Sequence, residues 1–501
     1  MIGLGWPILA LLALAPVVLA QGIVRNPELI LVGMAGALAL TAAATLPQVF
    51  ARLFISLLGL LLAGYAFFGR AFSHLGSSPV FVGELVLGVG LLGVLRNPRR
   101  FAPFKSAVGW FYLAFAMWGA ARAIPYLRVY GVDVLRDSVT WAYGLFALLI
   151  PASIVRPGWL LTLLQRYSRW APVLVLWLPI GLLASHLFPG LLPVDPESGE
   201  HMVFVKPGDA GVHLAGAATF LLLGLHHAPG VRARGGLLGT DWFLGLSCVL
   251  AFIAVAVLGR GGSLAFLVAI LAVLVLRPIV AVPKVVLIGA AAVAVSLALL
   301  ASNVSIELGR RDFSVQQLTS NLMSIVGDTP DDERNLEQTK DWRLRWWTKV
   351  VDYTVFGPYF WTGKGFGINL EVDDGVRQEA FNRSPHSAHM TILARTGVPG
   401  EVLWLLLQSS FGVTMLAAYL RARRRGREWW ARVNLWILAY WLAFMVDISF
   451  AVYLEGPHGG IWFWSIIGLG IAVAQAQRLP DTMPSRPPAP VGYGHEAPAR
   501  S

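Results

Sequence analysis

Three stretches of the sequence combine residue types that can do chemistry. The first runs Arg383-Ser-Pro-His386-Ser-Ala-His389-Met-Thr-Ile-Leu-Ala-Arg395-Thr-Gly397-Val-Pro-Gly400. Pro385 followed by a helical pattern predicts a helix start close to His386. A helix N-terminus disfavours a protonated imidazole, so a neutral His386 there could accept a proton. An ordinary role as polar residues at an interface is the alternative for His386 and His389. The second stretch, Leu258-Gly-Arg260-Gly-Gly-Ser263, places one charge in a very short hairpin between two apolar runs. An arginine there is costly unless it is solvated or paired. It either snorkels to lipid phosphates or binds an anion. The third is an amphipathic helix expected over Thr339–Asp352, with Trp342, Trp346 and Trp347 beside Arg343 and Arg345. Such a helix can rest on a membrane surface. The planar fork of arginine suits a diphosphate, so Arg343 and Arg345 could join Arg260.

Other groups carry weaker signals. Thr362-Gly-Lys364-Gly-Phe-Gly367 can be a tight turn whose N–H groups approach an anion. No parallel-sheet unit surrounds it, so a dinucleotide site is excluded, and a turn packed on the membrane face is the default. Asp447 lies within an apolar run and Glu455 just after it. Intramembrane acids are functional candidates, or structural partners of an arginine. Lys364, Arg345, His389, Asp447 and Glu455 are thus candidates for binding substrate or supporting the site. Asp373 and Asp374 stand in a polar stretch without a clear ligand set and read as a solvated face, so no metal site and no cofactor is expected.

The elements that must position these residues are membrane helices. Of 501 residues 56% are hydrophobic and 13% charged, against about 25% charged in a soluble domain. The apolar residues form repeated runs, and a helix crossing a bilayer needs about 20 of them. This excludes a soluble enzyme, a nucleic-acid-binding domain and a disordered chain. The net charge of +11 does not point to nucleic acid, because the basic residues cluster in short loops, as membrane orientation demands. The lone cysteine, Cys248, sits in an apolar run and can form no internal disulfide.

The expected fold is all-α, a polytopic membrane bundle of about fourteen transmembrane helices with one large, partly helical periplasmic loop. The spans fall at 4–20, 28–47, 51–68, 79–96, 106–122, 137–154, 170–188, 210–226, 238–258, 262–277, 282–301, 398–420, 432–453 and 460–478. The first ends in Val18-Leu19-Ala20, which resembles a signal-peptidase site, but no Lys or Arg precedes Arg25, so a retained helix is expected. Loops carrying Arg96 to Lys105, Arg156 to Arg169, Arg232 and Arg234, Arg277 and Lys284, and Arg421 to Arg427 fall on one side. That side is cytoplasmic by the positive-inside rule. The organisation expected is 1–237 N-terminal helices, 238–301 the helices with Arg260, 302–397 the loop with the catalytic motifs, 398–478 C-terminal helices, and 479–501 a disordered cytoplasmic tail. A hydrophilic loop of this length between membrane helices is usually functional.

With these residues in order, the chain resembles the bacterial O-antigen ligase and polysaccharide polymerase superfamily. Leu258 to Leu264 is similar to the family's Ser-Arg-Gly motif, with Gly259 in place of Ser. Arg343-Leu-Arg-Trp-Trp347 is similar to its Arg-x-x-x-Trp helix, which leads to a Gly-x-Gly-x-Gly turn, here Gly363 to Gly367. His386 to Gly400 is similar to its His-Asn helix running into Thr-Gly-x-x-Gly, with Ser387 in place of Asn. The resemblance spans about 240–475; the N-terminal half matches only as a series of membrane helices. It implies a metal-independent glycosyltransferase of the inner membrane, with a glycan on undecaprenyl diphosphate as donor. It further implies that His386 takes the proton of an acceptor hydroxyl, while Arg260 and Arg343 bind the diphosphate. The acceptor is a glycan for a polymerase or lipid A-core for a ligase, and a chain-length regulator is a candidate partner of the former. Fourteen spans, against twelve for a typical ligase, favour the polymerase. A lipid or solute transporter is the reading from another class, which Asp447 keeps open.

Overall fold

The computed structural model describes residues 47–77, 80–94, 106–154, 157–194, 205–227, 241–277, 306–308, 311–313, 334–376 and 383–478, with 199, 201 and 203. The helices used below are α1 (Pro47–Phe68), α2 (Val82–Val94), α3 (Ala107–Ala123), α4 (Val132–Ala142), α5 (Leu145–Ser153), α6 (Pro157–Leu187), α7 (Pro207–Leu222), α8 (Asp241–Leu258), α9 (Arg260–Leu276), α10 (Arg334–Thr354), α11 (Ala388–Arg424), α12 (Glu428–Phe450) and α13 (Pro457–Ala476). Strands among the described residues make only short antiparallel pairs, Gly76–Ser77 with Val80–Phe81 and Ile306–Leu308 with Arg311–Phe313.

Among the described residues six helices are long and apolar enough to cross a membrane: Val49–Phe68, Ala107–Tyr130, Gly158–Leu187, Ala388–Arg424, Glu428–Phe450 and Pro457–Ala476. Shorter apolar helices at Val82–Val94, Phe243–Leu258 and Arg260–Leu276 accompany them. The expected spans 4–20, nearly all of 28–47 and 282–301, and the tail 479–501, lie outside the described residues. One expected span is different in kind. Residues 137–154 divide into the end of α4 and all of α5. The Tyr112 ring packs where a side chain on Gly144 would stand, 2.0 Å from an added methyl. Asp133, Arg136 and Asp137 make α4 polar, which leaves the nine residues of α5, too few to cross a bilayer.

Helices α7, α12 and α13 are the most enclosed, and their aromatic residues make the core: Trp436, Tyr440 and Phe444 on α12, Phe463 and Trp464 on α13. In lipid the helices gain little from hiding apolar surface, so close approach through small residues matters more. α7 and α9 use it. An added methyl on Gly211 would lie 2.4 Å from the backbone of Gly262, so the two helices touch backbone to backbone.

Helix α10 covers the amphipathic helix expected at Thr339–Asp352 and extends it at both ends. Trp346 and Val350 are buried and Trp342 and Tyr353 half-buried, while Arg345, Thr348, Lys349 and Asp352 are exposed. This three-to-four-residue stripe lies against Leu393 and Ala394 near the start of α11. Helix α11 is broken at Gly397, whose φ of 71° and ψ of −175° are not helical. Its short arm, 388–396, folds back on its long arm, 398–424. His389 reaches Glu401, twelve residues on, at 3.2 Å, whereas a straight helix would separate them by about 18 Å. A side chain at position 397 would meet the Phe360 carbonyl oxygen at 2.4 Å, so the close approach as well as the φ calls for glycine. The long arm begins at the 398 expected for that span.

Candidate active site

His386 stands at the tip of the short arm. The helix starts at Ala388, two residues after His386, close to where the Pro385 pattern places a helix start. Its φ of 55° makes it the one described non-glycine residue with left-handed backbone. Such a conformation costs about 1–3 kcal/mol and persists where the surroundings enforce it, often at functional sites. The surroundings here are specific. Trp347 donates its indole N–H to the Pro385 carbonyl at 2.7 Å. The Trp342 ring meets the His386 ring edge to face at 5.5 Å. Ser387 is the N-cap of α11, its hydroxyl accepting from the Met390 N–H at 3.5 Å. Ser and Asn are both favoured caps, so Ser387 keeps the capping chemistry of the Asn it replaces.

Glu455, in the turn between α12 and α13, secures the same turn from beneath. Thr391 donates its hydroxyl to Glu455 Oε1 at 2.8 Å, and Ser384 also hydrogen-bonds the carboxyl. Burial raises the Glu455 pKa against these bonds and against the opposing pull of Arg395. Glu455 is therefore joined to the His386 segment.

Arg343 lies over the Trp342 ring, 5.7 Å from its centroid, and feels the charge of Arg260. Burial lowers the Arg343 pKa, and the charge of neighbouring Arg260 lowers it further. Arg343 donates to the Phe450 carbonyl at the end of α12, at 3.1 Å, and its Nε is buried without a hydrogen-bond partner. Arg260 opens α9, with Gly259 as its N-cap. Helix α10 thus brings Arg343 near Arg260 of α9 and, through the neighbouring Trp342, meets the His386 ring. Two close cations repel, and an anion between them relieves the repulsion. Arg345 does not join them: it is exposed, with its Nε 3.4 Å from the Asp341 carbonyl one turn back.

Lys364 has a different fate. Its ammonium donates to Asp373 Oδ2 at 2.6 Å and to Asp374 Oδ1, and lies 4.3 Å from the Tyr353 ring centroid. Burial opposes its charge, but the two carboxylates outweigh burial and raise its pKa. Asp374 is no solvated residue: it is buried and also accepts from the Trp346 indole at 2.6 Å. Asp373 is exposed, as a solvated face would have it. The glycine turn around Lys364 makes no anion cradle. Its N–H groups are taken: Gly363 by Tyr359, Lys364 by Ala394, Gly365 by Arg395 and Gly367 by Asp137. The turn is a clasp on the short arm of α11.

Asp137, on α4, is the hub of that clasp and was not a candidate from sequence. It accepts from Arg395 at 2.9 Å, Arg383 at 3.3 Å and the Gly367 N–H at 2.8 Å. Arg395, 2% exposed, also donates to the carbonyls of Gly365 and Ile368 at 3.3 Å. These arginines fell within the quoted His386 motif, but nothing in the sequence said that α4 carries their partner.

His389 faces inward at the break. Its Nδ1 accepts from the Trp404 indole at 3.2 Å and lies 3.2 Å from Glu401 Oε1. One ring nitrogen cannot accept from Trp404 and donate to Glu401 at once. Asp447, on α12, is buried with Oδ2 lacking a hydrogen-bond partner. Its Oδ1 would be 2.7 Å from a methyl on Gly208 and 3.8 Å from one on Gly261. It therefore lies against the first turns of α7 and α9, where two helix dipoles favour an anion. The sequence also missed the polar group nearby: His213 is bonded to the hydroxyls of Tyr440 and Tyr453, each at 2.8 Å, and His458 lies 3.4 Å from Asp209. The i, i+4 pair Asp209 and His213 within an apolar span was the available signal. Among the described residues no set of three or more His, Cys, Asp or Glu gathers as a metal site.

Residues 245–405 match the family described as O-antigen ligase. The matched segment holds the α9 arginine, α10, the glycine clasp and the His386 arm in one continuous stretch. This match supports the O-antigen ligase and polymerase superfamily for that segment. No curated protein matches the chain. The O-antigen ligase match supports membrane glycosyltransferase activity of the ligase or polymerase type, and the three site segments named from the sequence fall within it.

Proposed function

We propose that this protein is a polysaccharide polymerase. It transfers a glycan from undecaprenyl diphosphate to a glycan acceptor at the periplasmic face of the inner membrane, and a chain-length regulator is its candidate partner. The observation that carries the reading is the arrangement on α10. Arg343 stands near Arg260, and adjacent Trp342 lies on the ring of His386. A donor of this class has an apolar tail, two phosphates and a polar sugar. The bundle takes the tail, Arg260 and Arg343 hold the phosphates, and His386 faces the acceptor.

The step follows from those positions. The acceptor hydroxyl gives its proton to the His386 imidazole as its oxygen bonds to the anomeric carbon. The bond from that carbon to the phosphate oxygen breaks, and its electron pair stays on the diphosphate. The two arginines then face more negative charge than before, so they stabilise the transition state beyond the ground state. A base contributes typically about 10²–10⁴-fold. Attack opposite the leaving group inverts the anomeric centre; NMR showing a retained configuration in the product linkage would refute this single displacement.

Polymerase is preferred to ligase because the spans expected from the sequence, thirteen once 137–154 is set aside, still exceed the twelve of a typical ligase. A deletion strain decides the matter, complemented with wild type or His386→Ala and its surface glycans resolved on a gel. Loss of long glycan, with single repeat units still joined to lipid A-core, identifies the polymerase. Long undecaprenyl-linked chains beside bare core identify the ligase. A wild-type pattern restored by His386→Ala removes His386 from the mechanism.

A further inference from the structure

The chain from Tyr353 to Gly363 contains no charged residue, although Asp352 and Lys364 flank it. Within it Phe356 is 81% exposed and Trp361 68% exposed, and Val355 and Tyr359 are also exposed. A single exposed apolar side chain is ordinary; four within seven residues outside the spanning helices form a patch that marks an interaction surface.

Its surroundings say what covers it. The Phe360 carbonyl accepts from the Val398 N–H at 2.8 Å, at the first residue of the long arm of α11. Arg122, at the end of α3, donates to the Thr362 carbonyl at 2.8 Å, and Trp118 to the Thr396 carbonyl at 2.9 Å. The patch therefore sits where α3 and the long arm end. Both helices expose apolar side chains along their outer faces, Trp110 and Met117 on the first and Val402, Leu405 and Val413 on the second. In a membrane helix such faces meet lipid. The aromatic turn continues that surface past the helix ends, to the level where Trp and Tyr concentrate in membrane proteins.

We propose that residues 355–361 form an anchor embedded in the boundary between acyl chains and headgroups, in the leaflet at the His386 end of the bundle, with Phe356 and Trp361 as its wedges. The hydrogen bond from the Val398 N–H to the Phe360 carbonyl joins this anchor to the break in α11, and that from Arg122 to the Thr362 carbonyl ties it to the end of α3. Its depth in the lipid therefore sets the height of the His386 arm above the leaflet. The proposal rests on the membrane reading and stands whether or not glycosyl transfer is the activity.

Cys248 is the only cysteine and is buried, which makes site-specific labelling straightforward. The test uses full-length protein carrying Cys248→Ser, with Phe356→Cys, Trp361→Cys or, as a water-exposed control on α10, Thr348→Cys. Each is labelled with the environment-sensitive fluorophore NBD and reconstituted in vesicles of phosphatidylethanolamine and phosphatidylglycerol. The expected result at 356 and 361 is a blue-shifted emission, quenching by phospholipid with a nitroxide high on its acyl chain, and loss of quenching by aqueous iodide. Position 348 should show the reverse. Iodide quenching at 356 and 361 equal to that at 348 overturns the anchor. Shielding from both iodide and nitroxide also overturns it, because another part of the protein then covers the turn. A second measurement keeps the native side chains: wild-type protein in vesicles containing a diazirine-bearing phospholipid should acquire photoadducts within 355–361, and their absence refutes the proposal.

Discussion

Two arginine-rich regions lie on either side of the His386 arm, and they treat charge in opposite ways. In the clasp, Arg383 and Arg395 converge on Asp137, Arg383 also reaches Asp133, and both arginines donate to carbonyls, those of Gly365 and Ile368 from Arg395 and that of Gly367 from Arg383. At α10, the charge acting on Arg343 is another arginine, Arg260. A buried cation met by a carboxylate and carbonyls is a structural device, whereas two neighbouring cations raise the energy of the empty site and lower that of an anion-bound one. Two regions rich in the same residue thus point to different work, which residue type alone cannot reveal.

The sharpest way to break this contrast is to remove one arginine from each region. Arg395→Ala takes from buried Asp137 its shortest ion pair, leaving Arg383 and the Gly367 N–H, and should cost up to about 3–5 kcal/mol of stability, the range for breaking a buried pair. Detergent-solubilised protein should show a large fall in thermal midpoint, or little folded protein at all. Arg343→Ala should do the reverse. Its thermal midpoint should hold or rise, because the repulsion between Arg343 and Arg260 is relieved, while transfer measured on lipid-linked donor falls about 10²–10³-fold, the size of losing one preorganised donor to a developing anion. A midpoint that falls equally in both variants would erase the distinction. Arg260→Ala should resemble Arg343→Ala, and Arg260→Lys should restore only part of the activity, because lysine lacks the planar fork. Full activity in both Arg260 variants would remove the diphosphate role.

A smaller effect probes the hinge that both regions share. Gly397→Ala adds a methyl where the Phe360 carbonyl oxygen would be 2.4 Å away and forces left-handed backbone on alanine. It should lower stability by at least about 1–2 kcal/mol, read as a fall in thermal midpoint. The smallest effect sharpens the comparison through pH. Burial raises the Glu455 pKa, so the protonated form suits the fold. Its stability contribution is full below the unfolded value of the carboxyl and is lost as pH rises through the folded one. Glu455→Gln mimics the protonated form. Its thermal midpoint should match wild type near pH 4 and exceed it increasingly toward pH 8; a difference that is constant with pH would show that Glu455 does not titrate in this way.

Much of this was legible in sequence. Apolar runs gave the membrane class, the amphipathic spacing gave α10, and Pro385 gave an approximate start for α11. Arg260, Arg343 and His386 stood out as candidates because charges and histidines beside apolar runs are conspicuous. What was not legible depends on pairing between distant segments. Lys364 looked available until Asp373 and Asp374 closed on it, and Asp374 looked solvated until Trp346 covered it. Asp137 lies some 250 residues from the arginines it joins, a relation with no local periodicity to reveal it. The break at Gly397 showed only as a glycine, and its fold-back depends on the Phe360 carbonyl and the side chain of Glu401.

That fold-back separates two kinds of information along one helix. The long arm keeps an apolar stripe whose register is read by lipid, and the short arm keeps a register read only by α10 and the clasp. One residue inserted between 388 and 396 would turn the His386 end by about 100° around the short arm, away from Trp342, and leave the stripe of the long arm in phase. Such a chain would insert into the membrane as before and carry its histidine to the wrong side, so the frame of the membrane helix and the frame of the chemistry can be altered one at a time.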